Sequence, residues 1–373
     1  MVLLNRVHNL KKTNIFQDVL ARAQGKKEVV SLAVGDNTGP IEKEVIEELL
    51  EEVRIFGTEG GHKGYPPEEG LDSLKQWINK IFYNGRFSSE EIFISDGIKT
   101  DLFRFQTLFG PEARSSFFLP GYPTYKEGCE IIGAPTHPVY LDFLSGFNPL
   151  VDNVPIFDVF YLCSPNNPTG IALTQKEMEA LFAKARNNGG VIVHDACYAP
   201  YIQSKKPRTV YFDEQALDVA IELGSFSKWA AFSGIRLSWA VVPKELKFRD
   251  GSSILKAYTS FLNATYNGVS WLSQKMGCAL LKRGNIYLKG VETTMKRVVS
   301  MKELFRSSGF EVFGGEDGPY FLVKTGVDFL EKYNILTLPL SSFATRYKGF
   351  TRVSGFVSEK NWEIVTSRLQ NSF

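Results

Sequence analysis

Cysteine is scarce in this chain of 373 residues: Cys129, Cys163, Cys197 and Cys278 are its four, far apart and without a C-x-x-C pair. That spacing excludes a disulfide framework or a zinc ribbon and predicts reduced, mostly buried thiols. Histidine is equally sparse. His8, His62, His137 and His194 form no H-x-x-x-H pair, which argues against zinc chemistry. No uncharged apolar run approaches the roughly 20 residues that a spanning helix needs. The start, Met1 to Lys12, carries Arg6, Lys11 and Lys12 and no cleavable signal pattern. Neither sign of charge dominates, with 43 basic against 41 acidic residues and a net +2, so no global field draws nucleic acid or membrane. The pairs Lys11-Lys12, Lys26-Lys27 and Lys205-Lys206 are isolated and read as solvated surface. The expectation is a cytoplasmic globular protein.

The length favours two domains over one core. In the middle, short apolar runs alternate with helical spacing. Ile92–Ile94, Ser116–Leu119, Val159–Leu162, Val191–Val193, Val219–Leu223 and Ile235–Val242 read as strands. Thr100–Phe109 and Glu177–Asn187 read as helices between them. Such alternation predicts an α/β fold, its mostly parallel sheet covered by helices on both faces, with ligands at the loops leaving the strand carboxyl ends. The C-terminal part differs: a long helical region from Val269 to about Ser308, strands near Phe310–Phe313, Tyr320–Val323 and Thr351–Ser354, and a final helix, Glu359–Gln370. This predicts a smaller α+β domain.

One run stands out. Ser225-Phe226-Ser227-Lys228 follows an apolar strand, and Gly234-Ile235-Arg236 comes shortly after it. A lysine so placed can form a Schiff base with an aldehyde cofactor, while Ser225, Ser227 and Arg236 can hold a phosphate. Upstream stand Ser164-Pro165-Asn166-Asn167-Pro168-Thr169-Gly170 and His194-Asp195-Ala196-Cys197-Tyr198. Gly97-Ile98-Lys99 opens a helix after a strand, where backbone N–H groups bind phosphate and glycine permits close approach.

The order Asn167, Asp195, Tyr198, Lys228, Arg236 resembles the fold-type I pyridoxal-phosphate aminotransferases. Within them the chain is most similar to the LL-diaminopimelate aminotransferases. That likeness rests on Gly64-Tyr65 before Gly70, Ile94-Ser95-Asp96-Gly97-Ile98-Lys99, Leu162 to Gly170, Tyr266-Asn267-Gly268-Val269-Ser270 and Phe313-Gly314-Gly315.

The resemblance implies pyridoxal 5'-phosphate as cofactor and a homodimer with shared active sites. It implies a large domain of residues 44–265 and a small one of 1–43 with 266–373. Asp195 would pair with the ring nitrogen, Tyr198 and Asn167 would hold the ring's phenolic oxygen, and Tyr122 would stack on the ring. Gly97, Ile98, Lys99, Ser225, Ser227 and Arg236 would hold the phosphate. Lys228 would anchor the cofactor and carry the proton. The implied substrate contacts are Arg352 on the α-carboxylate, with Asn167, Lys99, Tyr122 and Asn267, the last presented by the partner subunit. The implied reaction moves an amino group between LL-diaminopimelate and 2-oxoglutarate, giving tetrahydrodipicolinate and glutamate.

The chain departs from the family in three places. Leu340 to Gly349 lacks a Gly-rich turn, and Arg346 and Lys348 are expected to add positive charge beside the pocket. Gly60 stands where a glutamate is frequent. Asp317-Gly318-Pro319-Tyr320 stands where Ala-Pro-Tyr is usual. These leave open another donor, aromatic or lysine-like, and a pyridoxal-phosphate lyase on the same fold. Ser225 to Lys228 also fits S-x-x-K, and Lys324-Thr325-Gly326 fits K-T-G, as in serine β-lactamases. Ser95-Asp96-Gly97, the nearest third motif, falls outside the interval those enzymes require.

Overall fold

A computed structural model of the chain describes residues 15–61, 63–284 and 288–371, so residues 1–14 of the expected small domain, with His8, and His62 lie outside the described residues. Helix α1 (Ile15–Ala21) leads into a two-residue strand, β1 (Val30–Ser31), then α2 (Lys43–Phe56) and α3 (Asp72–Tyr83).

The sheet predicted from alternation follows. It comprises β2 (Ile92–Ser95), β3 (Ser115–Leu119), β4 (Thr136–Tyr140), β5 (Val159–Cys163), β6 (Val191–Asp195), β7 (Ala220–Ser225) and β8 (Ser238–Val241). These pair in the order β2-β8-β7-β6-β5-β3-β4. From β7 to β4 every pairing is parallel, while β8 runs antiparallel to both its neighbours. Six of the seven strands are buried at every position, as strands covered on both faces must be. The exception is β4, which carries Pro138 and is buried only at Val139; a proline is tolerated there because β4 is an edge.

Helices α4 (Ile98–Phe109), α5 (Thr124–Ile132), α6 (Gln175–Asn188) and α7 (Ile254–Thr265) connect or cover these strands. Helix α6 starts at a Thr174–Glu177 capping box and stops at Gly189 in the left-handed region.

Two expected elements differ. The run Ile235–Val242 is a strand only from Ser238, because Arg236 adopts φ 60°, which no strand residue takes. The helical region from Val269 is two helices, α8 (Trp271–Leu281) and α9 (Leu288–Ser307), with Gly284 at φ 64° between them. Helix α8 packs against α2 and α3, whereas α9 covers the small sheet.

That sheet contains β9 (Glu311–Phe313), β10 (Tyr320–Lys324), β12 (Leu338–Pro339) and β13 (Phe350–Ser354), antiparallel in the order β12-β13-β10-β9. Between them lie α10 (Phe329–Tyr333) and β11 (Ile335–Leu336), and α11 (Glu359–Gln370) ends the fold. The N-terminal arm is sewn onto this part. β1 pairs in parallel with β11, Lys26 bonds Glu331 at 3.1 Å, and Val30 and Leu32 join the apolar cluster of Val298, Phe305, Phe321 and Val353.

Candidate active site

The carboxyl ends of β2, β5, β6 and β7 reach one edge of the large sheet, and β13 of the small sheet faces them. Between them lies a cavity of about 250 Å³. Ile98, Lys99, Tyr122, Asn167, Asp195 and Tyr198 line it, together with Ser225, Ser227, Lys228, Arg236 and Arg352.

Asp195 ends β6 and is buried. Its Oδ2 accepts from the Tyr125 hydroxyl at 2.9 Å, and its Oδ1 from the Cys197 backbone N–H at 3.1 Å. Burial pushes its carboxyl pKa upward, opposed by those two hydrogen bonds and by the charges of His194 and Lys228. A buried carboxylate without a hydrogen-bonded cation is costly, and a protonated ring nitrogen would satisfy it. Lys228 comes three residues after β7. Its Nζ donates to the Gly35 carbonyl at 2.6 Å, while Asn37 Nδ2 donates to the Lys228 carbonyl at 2.8 Å.

An anion cradle sits beside the lysine. Gly97 has φ 126°, and a Cβ there would stand 1.8 Å from Arg236 Nη2, so only glycine fits. The guanidinium therefore lies against the start of α4, where the helix dipole is positive. Gly97 itself supplies no N–H to the cavity, because that group donates to Ser238 Oγ at 2.9 Å. The N–H groups of Ile98 and Lys99, at the first helical turn, have no intrahelical acceptor. Arg236 Nη1 donates to the Ser233 carbonyl at 2.8 Å, and no carboxylate pairs with Arg236 among the described residues. Ser225 Oγ accepts from the Ser227 N–H at 3.1 Å. Two cationic features and two hydroxyls thus converge without a counter-ion, as a phosphate requires.

The opposite wall is built on Arg352, which is completely buried on β13. Its Nη1 donates to Asn167 Oδ1 at 2.8 Å, and Nη2 donates to the Ala33 carbonyl. Nε has no partner, and no carboxylate pairs with the guanidinium among the described residues. Its face lies 4.2 Å from the Tyr320 ring centre and 5.4 Å from that of Phe16. Burial pushes its pKa down, and the Tyr320 and Tyr198 phenols oppose that shift. A buried, unpaired guanidinium is a demand for an anion.

Tyr198 Oη lies 3.0 Å from Tyr320 Oη, which also reaches the Gly35 carbonyl at 3.3 Å. Burial pushes the Tyr122 phenol up to about 12, and the Tyr198 phenol well up. Both act as neutral hydroxyls at ordinary pH.

Two expected site residues stand apart. Gly97 lies beneath the Arg236 guanidinium, and Asn267 is exposed after α7, outside the cavity of its own chain. Arg346 corrects the expectation of added charge at the pocket: it stacks 4.6 Å from the ring centre of Tyr140 on the edge strand. Lys348 is exposed and does not line the cavity either. Sequence reasoning missed Tyr125 and assigned Tyr320 no role. No local signal marks Tyr125: Tyr122 precedes α5, Tyr125 lies within it, and its partner Asp195 is 70 residues away.

Residues 27–369 match the profile of the family described as aminotransferase class I and II. The chain is 32% identical over 368 residues to an LL-diaminopimelate aminotransferase of Protochlamydia amoebophila, covering 92% of this chain and 90% of that one. It is 33% identical over 363 residues to the chloroplastic LL-diaminopimelate aminotransferase of Arabidopsis thaliana, covering 90% and 77%. The solved L,L-diaminopimelate aminotransferase of Chlamydomonas reinhardtii superposes with a TM-score of 0.92 at 30% identity, over 100% of this chain and 99% of that one. An aspartate aminotransferase of Thermus thermophilus, 20% identical with a TM-score of 0.86, shares the fold over both full chains.

Proposed function

The chain belongs to the class I and II aminotransferase family, and from that premise we propose that it transfers an amino group from LL-diaminopimelate to 2-oxoglutarate. The products are tetrahydrodipicolinate and glutamate, and the cofactor is pyridoxal 5'-phosphate. The carrying observation is the buried Arg352, without a carboxylate partner among the described residues and hydrogen-bonded to Asn167 in one cavity with Lys228. The substrate follows the relatives at 32% and 33% identity that bear this activity in their names.

The residues present fit the cofactor. The Ile98 and Lys99 N–H groups, Ser225, Ser227 and Arg236 would hold the phosphate. Asp195 would face the ring nitrogen, Tyr198 and the Asn167 amide the phenolic oxygen, and Tyr122 the ring. When bound, pyridoxal phosphate withdraws electrons from the amino-acid Cα and so acidifies its proton. Arg352 orients the substrate by its α-carboxylate, with Asn167 fixing the guanidinium plane. Lys228 Nζ takes the Cα proton, and its neighbours limit its travel. Tyr125 and the Cys197 N–H hold Asp195 in place and favour its ionised form.

We also propose a homodimer with shared sites. Tyr65 is 82% exposed, Asn267 is exposed, and Ile46, Leu50 and Val53 form an exposed apolar stripe on α2. A second copy covering that stripe would bring Asn267 toward the partner's cavity. We propose a division into a large domain of residues 44–265 and a small one of 1–43 with 266–373, although α8 of the latter packs against α2 and α3. A cytoplasmic setting remains our reading; no helix among the described residues is long and apolar enough to cross a membrane.

The direct test is glutamate formation from 2-oxoglutarate with LL-diaminopimelate, set against phenylalanine, tyrosine and lysine as donors. Turnover with LL-diaminopimelate alone supports the assignment. Turnover only with an aromatic or lysine-like donor keeps the transamination and replaces the substrate.

A further inference from the structure

We infer that His194 and Glu222 are a buried charge pair that positions the cofactor-holding residues, the His194 ring carrying hydrogen on both nitrogens. The inference rests on the reading of Asp195 and Asn167 given above.

Strand alternation turns Asp195 toward the cavity and His194, its neighbour on β6, toward the opposite face. There His194 is completely buried, and Glu222 on β7 is 3% exposed. His194 Nε2 lies 3.2 Å from the Ser164 carbonyl oxygen, and Nδ1 lies 3.0 Å from Glu222 Oε2. A carbonyl can only accept, so Nε2 carries a hydrogen.

For Nδ1, the other partners of Glu222 decide. Its Oε2 accepts from the Val210 N–H at 2.8 Å and from the Thr209 hydroxyl at 2.9 Å. Its Oε1 lies 2.9 Å from Tyr83 Oη, which lies 2.9 Å from Trp239 Nε1. An indole N–H can only donate, so Trp239 donates to Tyr83 and Tyr83 donates onward to Glu222. Among the described residues every other partner of Glu222 is a donor, and Oε2 alone accepts two of these bonds, which leaves little room for a hydroxyl there that would itself donate to Nδ1. On that geometry Glu222 is read as the ionised acceptor, Nδ1 as the third donor to Oε2, and the ring as an imidazolium.

This pair joins three strand ends. Ser164 follows β5, His194 lies on β6 and Glu222 on β7. Asn167, Asp195 and Ser225, all lining the cavity, stand three, one and three residues beyond those anchor points. His194 thereby sets the spacing between the groups assigned to the ring nitrogen, the phenolic oxygen and the phosphate. Removing either charge strands the other or neutralises it, and the strand ends lose their common tie.

The test uses cofactor-loaded protein labelled with ¹⁵N-histidine, alongside Glu222→Gln, His194→Gln and the double variant. The expected wild-type spectrum has one ring signal, absent from His194→Gln, with both nitrogens protonated at neutral pH. In Glu222→Gln that ring should lose one proton. Pyridoxal phosphate affinity, read by absorption, should weaken about tenfold in each single variant, with the double variant no worse than the weaker single. A wild-type His194 ring with one bare nitrogen overturns the charge pair, and unchanged or additive affinity losses overturn the positioning role. Wild-type protein that takes up no pyridoxal phosphate overturns that role together with the cofactor reading, while the ring signals still decide the pair's charge. The wild-type spectrum decides it even where a variant fails to fold.

Discussion

Arg352 Nη1 donates to Asn167 Oδ1 across 2.8 Å, tying the small sheet to the loop after β5. The contact fixes the plane of a buried guanidinium that has no counter-ion among the described residues. Arg352→Lys replaces a planar fork with a point charge and also strips Asn167 of its donor. We expect the KM for the amino donor to rise on the order of a hundredfold, with the cofactor spectrum unchanged. Steady-state kinetics check this, and an unaltered KM would remove Arg352 from the substrate.

Gly97→Ala forces a Cβ to 1.8 Å from Arg236 Nη2 at a φ of 126°. The guanidinium must leave the start of α4, and the backbone is strained by about 1–3 kcal/mol. The expected result is at least a tenfold weaker hold on pyridoxal phosphate in a folded protein. Absorption titration with circular dichroism separates this from unfolding; wild-type affinity would contradict the cradle.

Asp101 lies below that cradle, accepting from Ser95 Oγ and from Ser238 Oγ. Burial raises its pKa from 3.8 to about 6, against the Arg104 charge and the two hydroxyls. Over that window the folded chain keeps a proton that the unfolded chain has lost, so stability from this group falls as pH rises from about 4 to about 6. The loss is about 3 kcal/mol at most. Asp101→Asn should remove this slope, so its Tm relative to wild type should climb across the window. A difference that is flat with pH would show that Asp101 does not titrate there.

Most of this site was legible because its residues follow buried strands, and buried parallel strands announce themselves as unbroken apolar runs. Ser225 and Lys228 stood out that way, while Asn167 and Asp195 were implied by the resemblance and likewise stand at or after the ends of buried strands. The edge strand β4 was not, since Thr136–Tyr140 contains a proline and is half solvated. Tyr125 and Tyr320 escaped because their roles depend on contacts across long sequence separations, to Asp195 and to Tyr198. Arg346 misled for the same reason: its charge is local in sequence, but the Tyr140 ring that captures it is remote. The region after Val269 divides after Leu281, with Gly284 at φ 64° between the two helices, and one glycine in a helical pattern is a weak signal of such a break.

Shared sites make a distinct prediction. Mixing Lys228→Ala protein with Asn267→Ala protein should restore up to about a quarter of wild-type activity, since mixed dimers carry one intact site in two. Each variant alone should be nearly inactive. No recovery after confirmed subunit exchange would place Asn267 outside the partner's site.

The central claim is a transamination centred on Lys228 with LL-diaminopimelate as donor. Cofactor-loaded protein is mixed with LL-diaminopimelate in the absence of any keto acid, and the cofactor's absorption is followed through a single turnover. The account predicts rapid conversion to the amino form, reversal on adding 2-oxoglutarate, and no conversion in Lys228→Ala. An unchanged wild-type spectrum, or conversion at the wild-type rate in Lys228→Ala, would contradict it.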